Sequence, residues 1–268
     1  TENVSVSKQL TIQSQNGYAS TTVTANNTMG NVFSVTVDYV TINGFTITGA
    51  IGDGGESLPG GIFLNNADHC FISNNRCGYN SSNKNFYGIK MNNSTNNTIS
   101  NNICNYNEQD GIIVCYSSNN NTLSGNTCNN NVSTGIYNSS SNNFITRNTA
   151  NSNAKGISLA SSSNNTIYLN DFSNNSTANA SSDAASSTSS LSSSTTIYYD
   201  YSSGSMHKGY LGNYYSDRGG NDSDGDGIGS QTYTTDGPDD SYPLWQTSDH
   251  YSLQAWWLHS DDKMYRDD

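Results

Sequence analysis

Two columns of asparagine, recurring at nearly constant spacing, limit what this chain can fold into. Asn75, Asn102, Asn126, Asn148 and Asn170 each stand three residues after an aliphatic residue, namely Ile72, Ile99, Leu123, Ile145 and Ile167. The column steps by 27, 24, 22 and 22 residues. Two residues after each asparagine comes a small or apolar side chain: Cys77, Cys104, Cys128, Ala150 and Phe172. A second set of asparagines follows at Asn80, Asn107, Asn131, Asn153 and Asn175, and Gly-Ile pairs recur at Gly61, Gly88, Gly111, Gly135 and Gly156. Such a unit is too short for a propeller blade and lacks the leucine pattern of a leucine-rich repeat. A coil of three short parallel strands fits it.

In such a coil, alternation along each short strand turns one apolar column inward and leaves Ser, Thr and Asn in water. Equivalent residues stack about 4.8 Å apart. A buried asparagine is costly alone, but stacked amides can bond to one another and to turn backbone. We therefore expect Asn75, Asn102, Asn126, Asn148 and Asn170 to form a structural ladder, and Phe45, which falls in the same column, to close it at the N-terminal end. The glycines suit tight or positive-φ corners. A helical reading fails, because Asn, Ser, Thr and Gly dominate and no stripe of 3.6-residue period appears.

These columns carry a resemblance. The units GIIVCYSSNNNTLSGNTCNNN and GISLASSSNNTIYLNDFSNN resemble the right-handed parallel β-helix repeats of the pectin-lyase-like superfamily, and in particular the NosD-like surface proteins of methanogenic archaea. The resemblance implies an all-β solenoid and leaves function open, since β-helices host lyases, hydrolases, adhesins and envelope components. On this reading residues 1–60 are irregular early coils and a cap, 61–175 regular repeats, 176–212 a degenerate Ser-rich coil, 213–245 an Asp-rich loop module and 246–268 a tail, all in one elongated domain. Within the Ser-rich stretch we expect poor order around Ser181 to Ser194 and a strand at Thr196 to Tyr201.

Composition narrows the function classes. The chain is 32% hydrophobic, about 41% when its 24 glycines are added, below the ~45–50% usual for globular domains. A thin solenoid core needs less. A net charge of -12 with ten Lys plus Arg argues against nucleic acid and anionic membranes as partners. No apolar run reaches the ~18 residues of a membrane span. The chain opens inside a strand-like alternation, so a processed protein or an excised piece is the expectation.

The densest chemical motif is DSDGDGIG. Asp222, Asp224 and Asp226 stand at the one, three, five spacing of a calcium loop, Gly227 permits the sharp turn, and the Ile228 carbonyl and Ser230 would take positions seven and nine. Position twelve is Tyr233 rather than a bidentate Glu, and Asp236, Asp239 or Asp240 is expected to supply the missing carboxylate from the following turn. Calcium is thus expected as a structural ion. The three stacked cysteines read as a small apolar column, and a copper-delivery role, which the name of the NosD relatives suggests, lacks Met and His clusters.

An acid and base for catalysis are not obvious. Asp53, Glu56, Glu108 and Asp110 lie on the side of the longer corners, just before the Gly-Ile strands, and are the candidate site for glycoside hydrolysis or lyase chemistry. With so few ionisable groups the expectation is no enzyme. The expected function is an extracellular structural subunit of an archaeal envelope polymer, sheath or S-layer, with Trp256 and Trp257 anchoring homo-polymer contacts and glycans on sequons such as Asn80, Asn96, Asn131 and Asn164. The alternative is a carbohydrate-binding or polysaccharide-cleaving β-helix module.

Overall fold

A computed structural model describes residues 1–53, 58–182, 188–202, 204–254, 256–258 and 264–266. The chain winds into a right-handed parallel β-helix with three sheets running along its length. The first sheet has eight strands, among them Gly60–Asn65, Tyr87–Asn92, Ile112–Cys115, Thr134–Asn138 and Lys155–Leu159. The second has seven, from Thr11–Gln13 through Thr98–Ser100 to Thr166–Tyr168. The third begins as Thr22–Thr24, Thr46–Thr48 and Arg76–Cys77, then continues as single bridges through Ile103, Thr127 and Thr149 to Asp171. Every pairing within these three sheets is parallel and in register, so like stacks on like: Ile89 lies on Ile112 and Ile112 on Ile136.

Alternation explains the interior. Ile62, Ile89, Ile112, Ile136 and Ile157 point inward and are fully buried, as are Ile72, Ile99, Leu123, Ile145 and Ile167 on the second sheet. Cys77, Cys104, Cys128, Ala150 and Phe172 fill the third side, also fully buried, and all five cysteines are free thiols. The Gly-Ile glycines serve close approach rather than positive φ, which corrects the sequence expectation. A Cβ at Gly88, Gly111, Gly135 or Gly156 would come within 3.0 Å of a backbone oxygen of the following coil.

Asparagine joins the coils. Asn102 shows the pattern. Its Oδ1 accepts from the backbone N–H of Asn75 at 3.0 Å and from Asn75 Nδ2 at 3.1 Å, while its own Nδ2 donates to Asn126 Oδ1 at 3.1 Å and to the Ile72 carbonyl at 2.8 Å. All four hydrogen-bonding positions of the amide are filled. The same bonds pass through Asn126, Asn148 and Asn170, and the Phe45 N–H caps the near end by donating to Asn75 Oδ1 at 3.1 Å.

A second ladder runs Asn107, Asn131, Asn153, Asn175. Its head is Asn85, not Asn80: the Asn85 N–H donates to Asn107 Oδ1, whereas Asn80 turns back to accept from Ser82 and Asn83 in its own loop. A third, Asn97, Asn121, Asn143 and Asn165, links coils through backbone N–H groups at the opposite corner. With its amide bonded on both sides, Asn131 is no acceptor for a glycan, while Asn96 and Asn164 are exposed.

The Ser-rich stretch is more ordered than its composition suggests. Residues 183–187 lie outside the described residues, but Leu191 is buried and the Ile167 N–H donates to the Ser190 carbonyl at 2.9 Å. The coil is therefore part of the stack. Beyond it, strands Ile197–Tyr201, Ser205–Gly209 and Tyr251–Leu253 pair antiparallel over a second small core of Leu169, Tyr199, Tyr201, Leu211, Leu244 and Tyr251. The first ladder skips to this module: Asn170 Nδ2 donates to Asn213 Oδ1 at 2.8 Å, and the Asn213 N–H donates to Asp240 Oδ2 at 2.7 Å. Asp240 is fully buried. Burial lifts its carboxyl to about 7, against the pull of the N–H groups of Asn213 and Tyr242.

Two outcomes follow for stability. Asn126→Leu leaves Asn102 without its side-chain acceptor, removes the amide donor to the Ile99 carbonyl, and leaves Asn148 Oδ1 only the backbone N–H of residue 126, so urea denaturation should show a loss of about 1–3 kcal/mol. For Asp240, the folded state holds the proton up to pH about 7 while the unfolded chain releases it near pH ~4. Its contribution is complete below that lower value and is lost as pH rises through the upper one, by at most about 1.4 kcal/mol per unit. Thermal melts between those limits should therefore show a pH slope from this group that Asp240→Asn removes.

Candidate functional site

On the outer face of the eight-stranded sheet the residues following each inward isoleucine form a column of their own, Lys90, Ile113, Tyr137 and Ser158, paired in register. The strand that carries Lys90 also carries Tyr87, and the corners before the next strands carry Asp110 and Ser133. Together with Thr134, Lys155 and the exposed Tyr116 they line a cleft of about 570 Å³, within the range of small-ligand sites.

Several groups of the cleft are shifted from their ordinary strengths. Asp110 is 6% exposed, and its Oδ1 accepts from the Thr134 N–H at 2.8 Å. Burial raises its carboxyl, opposed by hydrogen bonds from Thr134 and Ser133 and by the charge of Lys155. Lys90 is half-buried; desolvation lowers its ammonium, which donates to the Leu58 carbonyl at 3.2 Å and lies 5.2 and 5.5 Å from the ring centres of Phe63 and Tyr87. Burial also pushes the Tyr87 phenol to about 12 and the Cys115 thiol to about 11. An acid made weaker and a base made weaker, facing one cleft, are the pairing that proton transfer uses. Tyrosine rings along the walls offer flat surfaces with a polar edge.

Of the four acids named from sequence, the structure brings only Asp110 into this cleft. Glu108 lies two residues away and pairs with Lys84 in a neighbouring depression. Asp53 is exposed on the long loop, and Glu56 is outside the described residues. Lys90, Tyr137 and Lys155 were missed because the inward columns were followed and the outward ones were not. The position after each Gly-Ile isoleucine faces out and carries Lys90 and Tyr137, whereas Lys155 stands just before its Gly-Ile pair.

In the Asp-rich loop the carboxylates of Asp222, Asp224 and Asp226 converge within 4.8 Å of one another. Asp222 accepts from the N–H groups of Gly225 and Gly227, Asp226 from that of Ile228, and the Asp226 carbonyl accepts from the Tyr199 hydroxyl at 2.9 Å. Asp236 is exposed on the next turn and is not in the converging group, and the Ser230 hydroxyl is engaged with Asn221. Trp256 and Trp257 lie on strand Trp256–Leu258, antiparallel to Met264–Arg266, with side chains outside the described residues.

Comparison with known proteins bears on both sites. Residues 1–220 match the family described as periplasmic copper-binding protein (NosD). Comparison with curated sequences gave no match. Among solved structures, the chain is similar to a mutant of the periplasmic alginate epimerase AlgG (19% identity, 56% of this chain and 34% of that one, TM-score 0.43). It is also similar to the Dettilon tailspike protein (15%, 65% and 43%, TM-score 0.44) and to the A-module of the Azotobacter vinelandii mannuronan C-5 epimerase AlgE4 (12%, 67% and 69%, TM-score 0.40). The match thus spans about a third of the first and under half of the second. Two of the three are epimerases, so the expectation that the chain is not an enzyme is withdrawn.

Copper, which the family description names, does not fit the donors present. Among the described residues the cysteines are all buried and join no converging group of three ligands, and the group that does converge is made of carboxylates, donors suited to hard cations. No helix is long and apolar enough to cross a membrane. With most of its length matched, the chain belongs to the NosD family.

Proposed function

We propose that this chain is an extracellular or envelope β-helix that binds an anionic polysaccharide in the Lys90, Asp110 and Tyr137 cleft and acts on it. The reading is carried by one observation: a protein of net charge -12 places Lys90 and Lys155 together in its tyrosine-lined cleft beside a buried acid. Lysine supplies the charge a uronate-type sugar requires, the rings of Tyr87 and Tyr137 supply stacking faces, and Asp110 and Lys90 supply a proton donor and acceptor of shifted strength. The family description, which names the periplasm, accords with the location, and the alginate and mannuronan epimerases share the class of substrate. The sheath or S-layer subunit expected from sequence draws no support from the family match.

Titration calorimetry with a panel of alginate, polygalacturonate and neutral glucan oligomers tests this. The charged oligomers should bind and the neutral one should not, with binding that weakens as salt is added. Tyr137→Ala and Lys90→Ala should each lower affinity by about tenfold, ~1.4 kcal/mol, at unchanged melting temperature. Equal binding of charged and neutral oligomers, or affinity indifferent to both substitutions, would overturn the assignment.

A structural calcium at Asp222, Asp224 and Asp226 is our proposal for the C-terminal loop, motivated by three carboxylates crowded within 4.8 Å on a segment with few apolar residues. Its binding energy would be part of folding there. Chelation should lower the melting temperature and open the loop to limited proteolysis, and calcium should restore both. Identical digestion with and without chelator would exclude the ion.

A further inference from the structure

We infer that the polysaccharide continues from the cleft over the adjoining corner into a second subsite built by Lys84, Tyr106, Glu108 and Val132. The inference rests on the polysaccharide reading above and gives the ligand a direction and a minimum length. These four residues line an open depression of about 360 Å³. The two depressions share the same turns of chain: Glu108 lines one and Asp110 the other, and Val132 lines one while Thr134 lines the other. Because both sit on the same coils, the path between them runs around the solenoid, across the entrances of the strands, and not along its axis.

The side chains at this corner are those a sugar chain would use. Val132 is 71% exposed and Tyr106 40%, so both present apolar surface to solvent at this corner. Tyr106 has a left-handed backbone, φ 58°, at a corner position where the following coils carry Asn130, Ser152 and Asn174 at 58°, 59° and 55°. Asparagine tolerates that conformation and a bulky ring does not favour it, so the fold has no need of a tyrosine here. Lys84 is ion-paired with Glu108, yet both keep about a third of their side-chain surface in water, 33% and 38%. With Lys84 counted, three of the chain's six lysines line these two depressions. A linear anionic polymer whose units are held separately fits two charged, ring-walled depressions joined over a corner; occupying the second raises affinity through effective concentration.

Calorimetric titration of the full chain with a galacturonate trisaccharide and an octasaccharide tests the second subsite, using wild type, Tyr106→Asn and Val132→Ser. Tyr106→Asn puts in the residue that the next coil already uses at that corner, so the fold is preserved. The wild type should bind the octasaccharide at least about tenfold more tightly than the trisaccharide. Both variants should bring the octasaccharide down to the trisaccharide value and leave trisaccharide affinity and melting temperature unchanged. Equal affinity for the two lengths in wild type, or variants that weaken both lengths alike, would overturn the second subsite while leaving the cleft intact. Binding of neither length would remove the cleft reading and this one together.

Discussion

From Asn75 onward each coil is held to the next by an asparagine amide, which in the middle of the ladder uses its whole hydrogen-bonding capacity, and the rest of the molecule depends on that bond. Burial of the aliphatic columns already opposes a slip of one residue, which would turn every inward side chain outward, and the amides add directional bonds that tie each coil to the next. In the first ladder Oδ1 always receives from the preceding coil and Nδ2 always donates to the following one. The amide dipoles therefore add, with their positive end toward the C-terminus. At that end the Asn213 amide turns to the Ile167 and Leu191 carbonyls, and its backbone N–H donates to the buried Asp240 carboxyl.

The ladders occupy the corners and the interior, which leaves the outward positions of every strand free of structural duty. On the first sheet that freedom yields Lys90, Ile113, Tyr137 and Ser158 in four successive coils. Side chains in register are brought to about 4.8 Å from one another by the strand spacing alone. Ring, charge and hydroxyl gather into one cleft without any long loop to assemble them, and rigidity comes from the coils beneath.

The winding was legible in the sequence because the solenoid repeats its demands: an inward aliphatic, an asparagine three residues later and a small residue two beyond recur at fixed offsets. Where the offsets break, sequence reading misplaced or missed the residue. The long corner from Ser81 moves the ladder position from Asn80 to Asn85, and the Ser-rich coil hides the step of 43 residues from Asn170 to Asn213. Asp240 belongs to no repeat at all. The site was half visible. Asp110 stood out as an acid near a corner, whereas its burial, and the convergence of Lys90 and Lys155 on the same cleft, arise from three separate coils and leave no mark in any one of them.

The one-way direction of the ladder also bears on how the chain comes to be folded. Neighbouring coils contact each other across 22 to 27 residues, short loops that close rapidly, so growth by addition of coils is kinetically easy. Each newly added coil, however, ends in donors whose acceptor lies on the coil still to come. A partly wound solenoid is thus always unfinished at its advancing end, and that end is the adhesive one. Asn213, reached from Asn170 by a step of 43 residues, and Asp240, 27 residues further on, end this state beside a separate tyrosine core. The C-terminal module is in this sense the terminator of a polymerising process carried out within a single chain.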